Sequence, residues 1–484
     1  MSQTRAIAWN TGSQAAGKVI STIFGVAIIA LMTRYLGQTG FGYYSTANAF
    51  FQIFAILIDL GINVMIVQML GERRGDAKYE KRAVSATMTF RIVTSLIFIG
   101  IAPFIALMFP YAWEVKVIMF ALWVSFFAAT LNQIVIGVQQ RFLKMHIVAI
   151  AEVAGRAFLL AGLAVAMAMN LGLLAIVIIV SAAAVVNLAM NWIAARKYAD
   201  FGWNWDPEFW KILLKRSWPI GISIFFNLAY FKSDAFILSL VRSADEVGIY
   251  SAAYRVLEIL ITFPFMLAGI MLPMMAHAWV KKNKNEFARL LNQAYTAILI
   301  FAVPLVAGIL VMGTQTIVFI SGEEFAVSGD ILKILSLATF MIFFGTISSH
   351  VVVAIDAQKR MIPAYIAVAI ATVILYVIFI PKYGMWAAAW LTVFSETMIA
   401  VAATWFAFKA SPGFFSILSF GKIVFSSLVM TLAIMPLANL WPPIPIIIGM
   451  IVYSVLLFLT GTVSKKTIKE ILAWRKGPEP IENV

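Results

Sequence analysis

The sequence predicts an all-α polytopic membrane protein: about 14 transmembrane helices, in two pseudo-symmetric six-helix lobes plus two C-terminal helices. Three observations lead there. Of 484 residues, 62% are hydrophobic and only 12% charged, with a mean hydropathy of +0.94. No soluble fold needs that much apolar surface. A membrane-spanning helix takes roughly 20 apolar residues, and such segments recur along the whole chain. Finally, residues 42–53 align without a gap against residues 248–259, 206 positions on, with Gly, Tyr, Ser, Ala and Ile recurring in place. Each copy follows one long hydrophobic segment and opens another, the pattern of a duplicated helical bundle.

In chain order the spans fall near 14–36, 43–69, 83–108, 115–138, 147–169, 171–194, 217–241, 249–276, 290–313, 331–355, 361–380, 384–408, 421–440 and 444–462. They divide into an N-lobe (1–200, spans one to six), a linker (201–216), a C-lobe (217–410, spans seven to twelve) and a last section (411–484) with two spans and a basic tail. In the linker, Asp206 can cap a helix that Pro207 opens. The Trp and Lys around it suit a short helix lying on the membrane surface. The tail 464–476, with Ile468, Ile471 and Leu472 on one side, reads similarly. Gly37, Gly40 and Gly42 mark a tight outer turn between the first two spans. The longest external loop is expected near 313–330. Pro103, Pro264, Pro273 and Pro304 fall within spans, where each breaks the backbone ladder and kinks its helix.

The net charge of +14 comes from 36 Lys and Arg against 22 Asp and Glu. Its distribution argues against nucleic acid. Under this topology 26 of the 36 basic residues lie in alternate loops and the termini, and only Arg34, Lys116, Arg242 and Lys382 lie on the other side. That asymmetry places both termini and the basic loops in the cytoplasm of a multi-pass cell-membrane protein. The first apolar stretch is long, carries Lys18 and lacks a small-residue cleavage site, so it reads as the first span and not a signal peptide. There is no cysteine, hence no disulfide or thiolate metal site. His146, His277 and His350 lack ligand spacing. No phosphate-binding loop ends in Gly-Lys-Ser/Thr. No catalytic motif, metal or cofactor is expected, and no loop is long enough for a soluble domain.

What stands out is charge inside the spans. The acids are Asp59, Glu152, Asp234, Glu258 and Glu396; the bases are Lys18, Arg91, Arg156, Lys232, Arg255 and Lys333. Each costs about 3 kcal/mol or more if it faces lipid, so they imply a hydrated interior, pairing, or both. Glu152 and Arg156 are spaced i,i+4, and Arg255 and Glu258 i,i+3, so each pair shares a helix face. Lys232 and Asp234 do not. Asp59 and Arg91 reach similar depth in the cytoplasmic half, so they could pair. Lys232, Asp234, Arg255 and Glu258 are expected to form an outer C-lobe cluster. Arg and Lys in a hydrated cavity suit an anion, and Arg binds phosphate in a bidentate way. An inside-negative potential drives such an anion outward by about 2.3 kcal/mol per charge per 100 mV.

Thr33-Arg34-Tyr35-Leu36-Gly37, Phe41-Gly42-Tyr43-Tyr44-Ser45 and Asp59-Leu60-Gly61 resemble the opening of the polysaccharide transporter (Wzx-type) flippases. These belong to the multidrug/oligosaccharidyl-lipid/polysaccharide exporter superfamily. The likeness continues through Gln139-Gln140-Arg141-Phe142, Lys232-Ser233-Asp234, Glu246 to Arg255, Ser321-Gly322-Glu323-Glu324-Phe325, Ile380-Pro381-Lys382-Tyr383-Gly384 and Glu396. It implies two six-helix lobes around a charged cavity and an undecaprenyl-pyrophosphate-linked oligosaccharide as cargo. It also implies membrane lipids, a polysaccharide polymerase and glycosyltransferases as partners, and no nucleic acid. On this reading Lys18, Arg34, Arg91, Arg156, Lys232 and Arg255 serve the cargo. Asp59, Glu152, Asp234, Glu258 and Glu396 pair with them or couple to an ion. The rival readings are a cation-coupled multidrug exporter of the same superfamily, a lipid II flippase, and, more remotely, a membrane-embedded glycan enzyme.

Overall fold

The computed structural model describes residues 3–73, 75–411 and 416–463. The tail 464–476 lies outside them, as does Arg74. The described residues are predominantly helical, with no strand among them. In order the helices are α1 (Gln3–Asp59), α2 (Ile62–Glu72), α3 (Ala77–Ala106), α4 (Trp113–Arg141), α5 (Met145–Ala168), α6 (Leu173–Ala195) and α7 (Pro207–Val241). There follow α8 (Ala244–Leu260), α9 (Thr262–Val280), α10 (Lys284–Ser321), α11 (Ala326–Ala354), α12 (Gln358–Ala410), α13 (Ile417–Ile434) and α14 (Pro443–Leu459).

Eleven helices among the described residues are long and apolar enough to cross a membrane, and α14 is a shorter apolar one of 17 residues. The chain is a multi-pass membrane protein. Two of the long helices are interrupted by a single residue: Gly37 in α1 (φ 63°) and Gly384 in α12 (φ 57°). Both take a left-handed backbone that a side chain would oppose, and both stand where a turn between spans is expected. Phe104, Phe265 and Trp405 each expose more than half of their surface, as lipid-facing side chains do.

The chain forms two compact units, Met1–Gly248 and Ile249–Val484. The first includes all of α7, because α7 packs on α1, α2 and α3. Two apolar centres of its interior stand out among the described residues. One gathers Ile62, Met65, Ile66 and Met69 of α2 against Val135 and Val138 of α4 and Phe209 and Leu213 of α7. The other surrounds Phe50 and Phe51, the latter stacked on Phe126 at 5.1 Å. In the second unit, Tyr295, Ile298 and Leu299 of α10 pack with Phe343 and Ile347 of α11, Ile423 of α13 and Tyr453 of α14.

Four local expectations change. Gly40 and Gly42 are helical; only Gly37 turns the chain. Gly42 is needed for closeness: a Cβ there would lie 1.8 Å from the Ala244 carbonyl oxygen, and one on Gly248 would lie 2.3 Å from that of Gln38. These contacts are reciprocal under the 206-residue offset, since 42 maps to 248 and 38 to 244. Thr39 and Asp245, also 206 apart, share a hydrogen bond of 2.5 Å between their side chains. The span expected at 249–276 is two helices, α8 and α9, because Pro264 cannot donate to, and crowds, the carbonyl of Leu260 four residues earlier. The loop expected at 313–330 shrinks to Gly322 and a 3₁₀ turn, Glu323–Phe325. The linker helix is not separate; it is the opening of the 35-residue α7.

That opening is capped as expected. Asp206 accepts from the Phe209 N–H at 3.0 Å and from Arg82 Nε at 2.5 Å, and Pro207 follows it. The hydrogen bond from Arg82, aided by that N–H, holds the Asp206 carboxyl below its ordinary value of 3.8. A lowered native pKa contributes stability that is complete above the unfolded value and fades as pH falls through the native one. Arg82 is half-exposed, so the pair itself adds little; the cap is worth about 1 kcal/mol. Asp206→Ala is therefore expected to lower the melting temperature at pH 7, with the gap to the parent narrowing below about pH 4. A gap that stays constant with pH would contradict this account.

Candidate functional site

The charges of the spans sort into groups within each unit. The fullest group joins α1 to α5. Every fourth residue of α1 from Gly17 is small: Gly17, Ser21, Gly25. That stripe lets α5 approach closely, with Gly17 against Ala149 and Gly25 against the Arg156 guanidinium. Around it, one oxygen, Oε1 of Glu152, receives the Ser21 hydroxyl at 2.5 Å, Arg156 Nη2 at 3.3 Å and Lys18 Nζ at 3.6 Å. Two cations thus share one carboxylate. The Lys18 and Arg156 side chains remain 36% and 35% exposed. At 1.5 Å per residue, Glu152 lies about 12 Å in from Lys144 of the basic turn. The i,i+4 spacing anticipates the Glu152–Arg156 pair. The contributions of Lys18 and Ser21, more than 130 residues away, come from the packing of α1 on α5.

Arg91 and Asp59, which could pair by depth, form no direct ion pair. Arg91 is wholly buried and donates through Nη1 to the Ile58 carbonyl at 2.9 Å, while its Nε and Nη2 reach no protein acceptor. Asp59 is near enough to act on Arg91 electrostatically but forms no ion pair with it within 4.0 Å. The reason is local. Asp59 ends α1, and the chain breaks at once through Leu60 (φ 42°) and Gly61 (φ 70°). At this helix end the guanidinium takes the Ile58 carbonyl rather than the Asp59 carboxylate.

Lys232 and Asp234 belong to the first unit and Arg255 and Glu258 to the second. Asp234 is buried, with its carboxylate accepting from the Ala235 N–H at 2.7 Å. Lys232 lies 4.9 Å from the Phe231 ring centroid. Arg34 is exposed near the end of the first half of α1. In the second unit, Arg255 Nη1 meets Glu258 Oε2 at 2.8 Å, the pair its i,i+3 spacing anticipates. Lys333 meets Asp330, also i,i+3, at 2.8 Å. Glu396 of α12 is buried.

An uncharged network escapes any reading based on charge. Asn187 Oδ1 accepts from Asn132 at 3.0 Å and from Asn191 at 2.8 Å, and Gln139 donates to the Asn191 carbonyl at 2.9 Å. It ties α4 to α6. Its signal in the sequence is the amides placed every fourth residue in an otherwise apolar α6. Among the described residues, no group of three or more His, Asp or Glu could hold a metal ion.

A family model described as polysaccharide biosynthesis protein matches residues 7–279, and a MatE model matches residues 219–381. Two curated relatives come from Haloferax volcanii. The "Probable low-salt glycan biosynthesis flippase Agl15" is 23% identical over 50% of this chain and 53% of its own length. The "Probable flippase AglR" is 21% identical over 62% of this chain and 63% of its own length. The chain therefore spans about half to somewhat under two thirds of the curated relatives it matches. Among solved structures, the lipid II flippase MurJ in an inward closed conformation superposes with a TM-score of 0.76 at 18% identity, covering 92% of this chain and 97% of that one. That likeness is one of fold. With more than half of its length inside the first family model, the chain belongs to the polysaccharide biosynthesis protein family.

Proposed function

We propose that this protein flips an undecaprenyl-pyrophosphate-linked oligosaccharide from the inner to the outer leaflet of the cell membrane, by alternating access. Both termini and the basic turns face the cytoplasm. The observation that carries the reading is the α1–α5 group: two cations held against one carboxylate, each about one third exposed, within an apolar bundle. Such a site retains one unit of positive charge. A pyrophosphate is the complementary ligand, because Arg offers it a bidentate fork and Lys a point charge. Polysaccharide-family membership and two flippase relatives support a lipid-linked glycan as the cargo. Outward movement of its negative charge is favoured by an inside-negative potential, at about 2.3 kcal/mol per charge per 100 mV. Arg34, Arg91, Lys232 and Arg255 are proposed to meet the cargo elsewhere on its route, with Asp59, Asp234, Glu258 and Glu396 as their counter-charges.

The test is flipping of a defined lipid-linked oligosaccharide by the purified protein in liposomes. Lys18→Gln with Arg156→Gln is expected to slow flipping at least about tenfold, as loss of one charge-assisted contact would. Lys281→Gln with Lys282→Gln, the same loss of charge on an exposed turn, should leave the rate unchanged. Equal rates in the first variant and the parent would remove the site. A parent protein that moves no such lipid would remove the function.

A further inference from the structure

A second basic site lies at the end of the first unit that carries the basic turns. A cavity of about 570 Å³ opens there, bounded by the start of α3, Phe142 after α4 and the segment 196–200 after α6. Its acids are already engaged. Glu80 receives Arg141 Nη2 at 3.0 Å, and Asp200 receives Lys81 Nζ at 2.9 Å. Arg196 and Lys197 also line it; among the described residues neither forms an ion pair within 4.0 Å, although Arg196 acts on Asp200 electrostatically. With Arg141 included, four bases thus stand against two acids, a net excess of two positive charges.

The rest of the cavity is built for an oxyanion. The Tyr198 hydroxyl is buried and, among the described residues, has no hydrogen-bond partner, so it is a donor without an acceptor there. Burial pushes that hydroxyl up to about 12, which keeps its proton in place at neutral pH. The Tyr198 ring is held at 5.1 Å from that of Phe142. The Asp200 turn is fixed by Ser85, whose hydroxyl donates to the Asp200 carbonyl at 2.9 Å, and by the Gly202 N–H, which donates to the Asp200 carboxylate at 2.9 Å. Trp203 and Trp205, just beyond, expose 65% and 58% of their surface. Exposed Trp beside Lys and Arg is what a membrane–water interface selects, which puts the cavity at headgroup depth.

We propose that this cavity binds a phosphate-bearing anion, with Arg196 and Lys197 supplying charge and the Tyr198 hydroxyl a hydrogen bond. The chemistry fits an anionic lipid headgroup and a free phosphate compound alike. The site does not depend on the transport reading: its residues are separate from the α1–α5 group.

The experiment uses the purified full-length protein in neutral detergent. One arm titrates phosphatidylglycerol against phosphatidylcholine and counts bound lipid by native mass spectrometry. The other titrates inorganic pyrophosphate and follows its phosphorus NMR linewidth. Each basic residue near an anionic surface is worth about fivefold in affinity. Arg196→Gln with Lys197→Gln is therefore expected to weaken binding about 25-fold, and Tyr198→Phe by roughly fivefold. Lys281→Gln with Lys282→Gln should change nothing. Binding of phosphatidylglycerol alone identifies a headgroup site, of pyrophosphate alone a soluble ligand, and of both a site that reads the phosphate itself. The proposal is overturned if neither probe binds, if the Arg196/Lys197 variant binds as the parent does, or if the Lys281/Lys282 variant loses as much.

Discussion

Gly42→Val is expected to prevent stable folding of the protein. A Cβ at position 42 would fall 1.8 Å from the Ala244 carbonyl oxygen and 2.6 Å from its carbon. Both are backbone atoms, so no rotamer change relieves the clash. The two segments would have to part. That would also pull Gln38 from Gly248 and separate the Thr39 and Asp245 side chains. A loss above about 4 kcal/mol belongs to this class of buried backbone collision. The measurement is yield and melting temperature of the purified protein beside Gly100→Ala, a position with nothing within 4 Å of the added methyl. Gly100→Ala should be neutral or better, since Ala favours the helix by up to about 1 kcal/mol. If Gly42→Val is recovered at normal yield and melting temperature, the close approach of these backbones is refuted.

Arg91→Met is expected to make the protein more stable and less active. The guanidinium is wholly buried, satisfies one nitrogen on the Ile58 carbonyl and leaves two without a protein acceptor. Replacing such a charge by an apolar side chain of similar volume is commonly neutral or stabilising by about 1–4 kcal/mol. The melting temperature should rise accordingly. A cost carried in the resting structure suggests use in another one. Were the break at Leu60 and Gly61 to straighten during the proposed transport, Arg91 would meet Asp59 or the cargo phosphate. Flipping should then fall at least about tenfold, and Asp59→Asn should match that loss without the gain in stability. A variant that melts lower and still flips at the parent rate would show Arg91 to be a plain structural residue.

Much of the scaffold is legible in the sequence because membrane helices are long apolar runs with few alternatives. Helix identity, the Asp206 cap, the break between α5 and α6, and the Glu152–Arg156 and Arg255–Glu258 pairs all rest on local spacing. What local spacing does not reach is distance in the chain. Lys18 and Ser21 join Glu152 only because Gly17, Ser21 and Gly25 let α5 settle onto α1. Gly42 reads as a turn residue when its neighbours are Gly37 and Gly40, whereas its partner is Ala244. Depth along a helix puts Asp59 beside Arg91, yet α1 ends there, before Leu60 and Gly61, and Arg91 donates to the Ile58 carbonyl instead. The Asn132–Asn187–Asn191 network carries no charge, so it stays silent in a search for charge.

The three donors gathered on one oxygen of Glu152 bear on how a cargo would leave. A site with two bare cations would hold a pyrophosphate long after the leaflet had changed, and turnover would wait on release. On the function proposed above, Glu152 would act as a resident competitor: it holds the cations when the cargo is absent, would yield to a dianion when it arrives, and would take the cations back as the anion departs. The carboxylate would thus trade affinity for residence time. Glu152→Gln should therefore bind the lipid-linked anion more tightly and flip it more slowly, the two rates parting where a simple loss of fold would move them together.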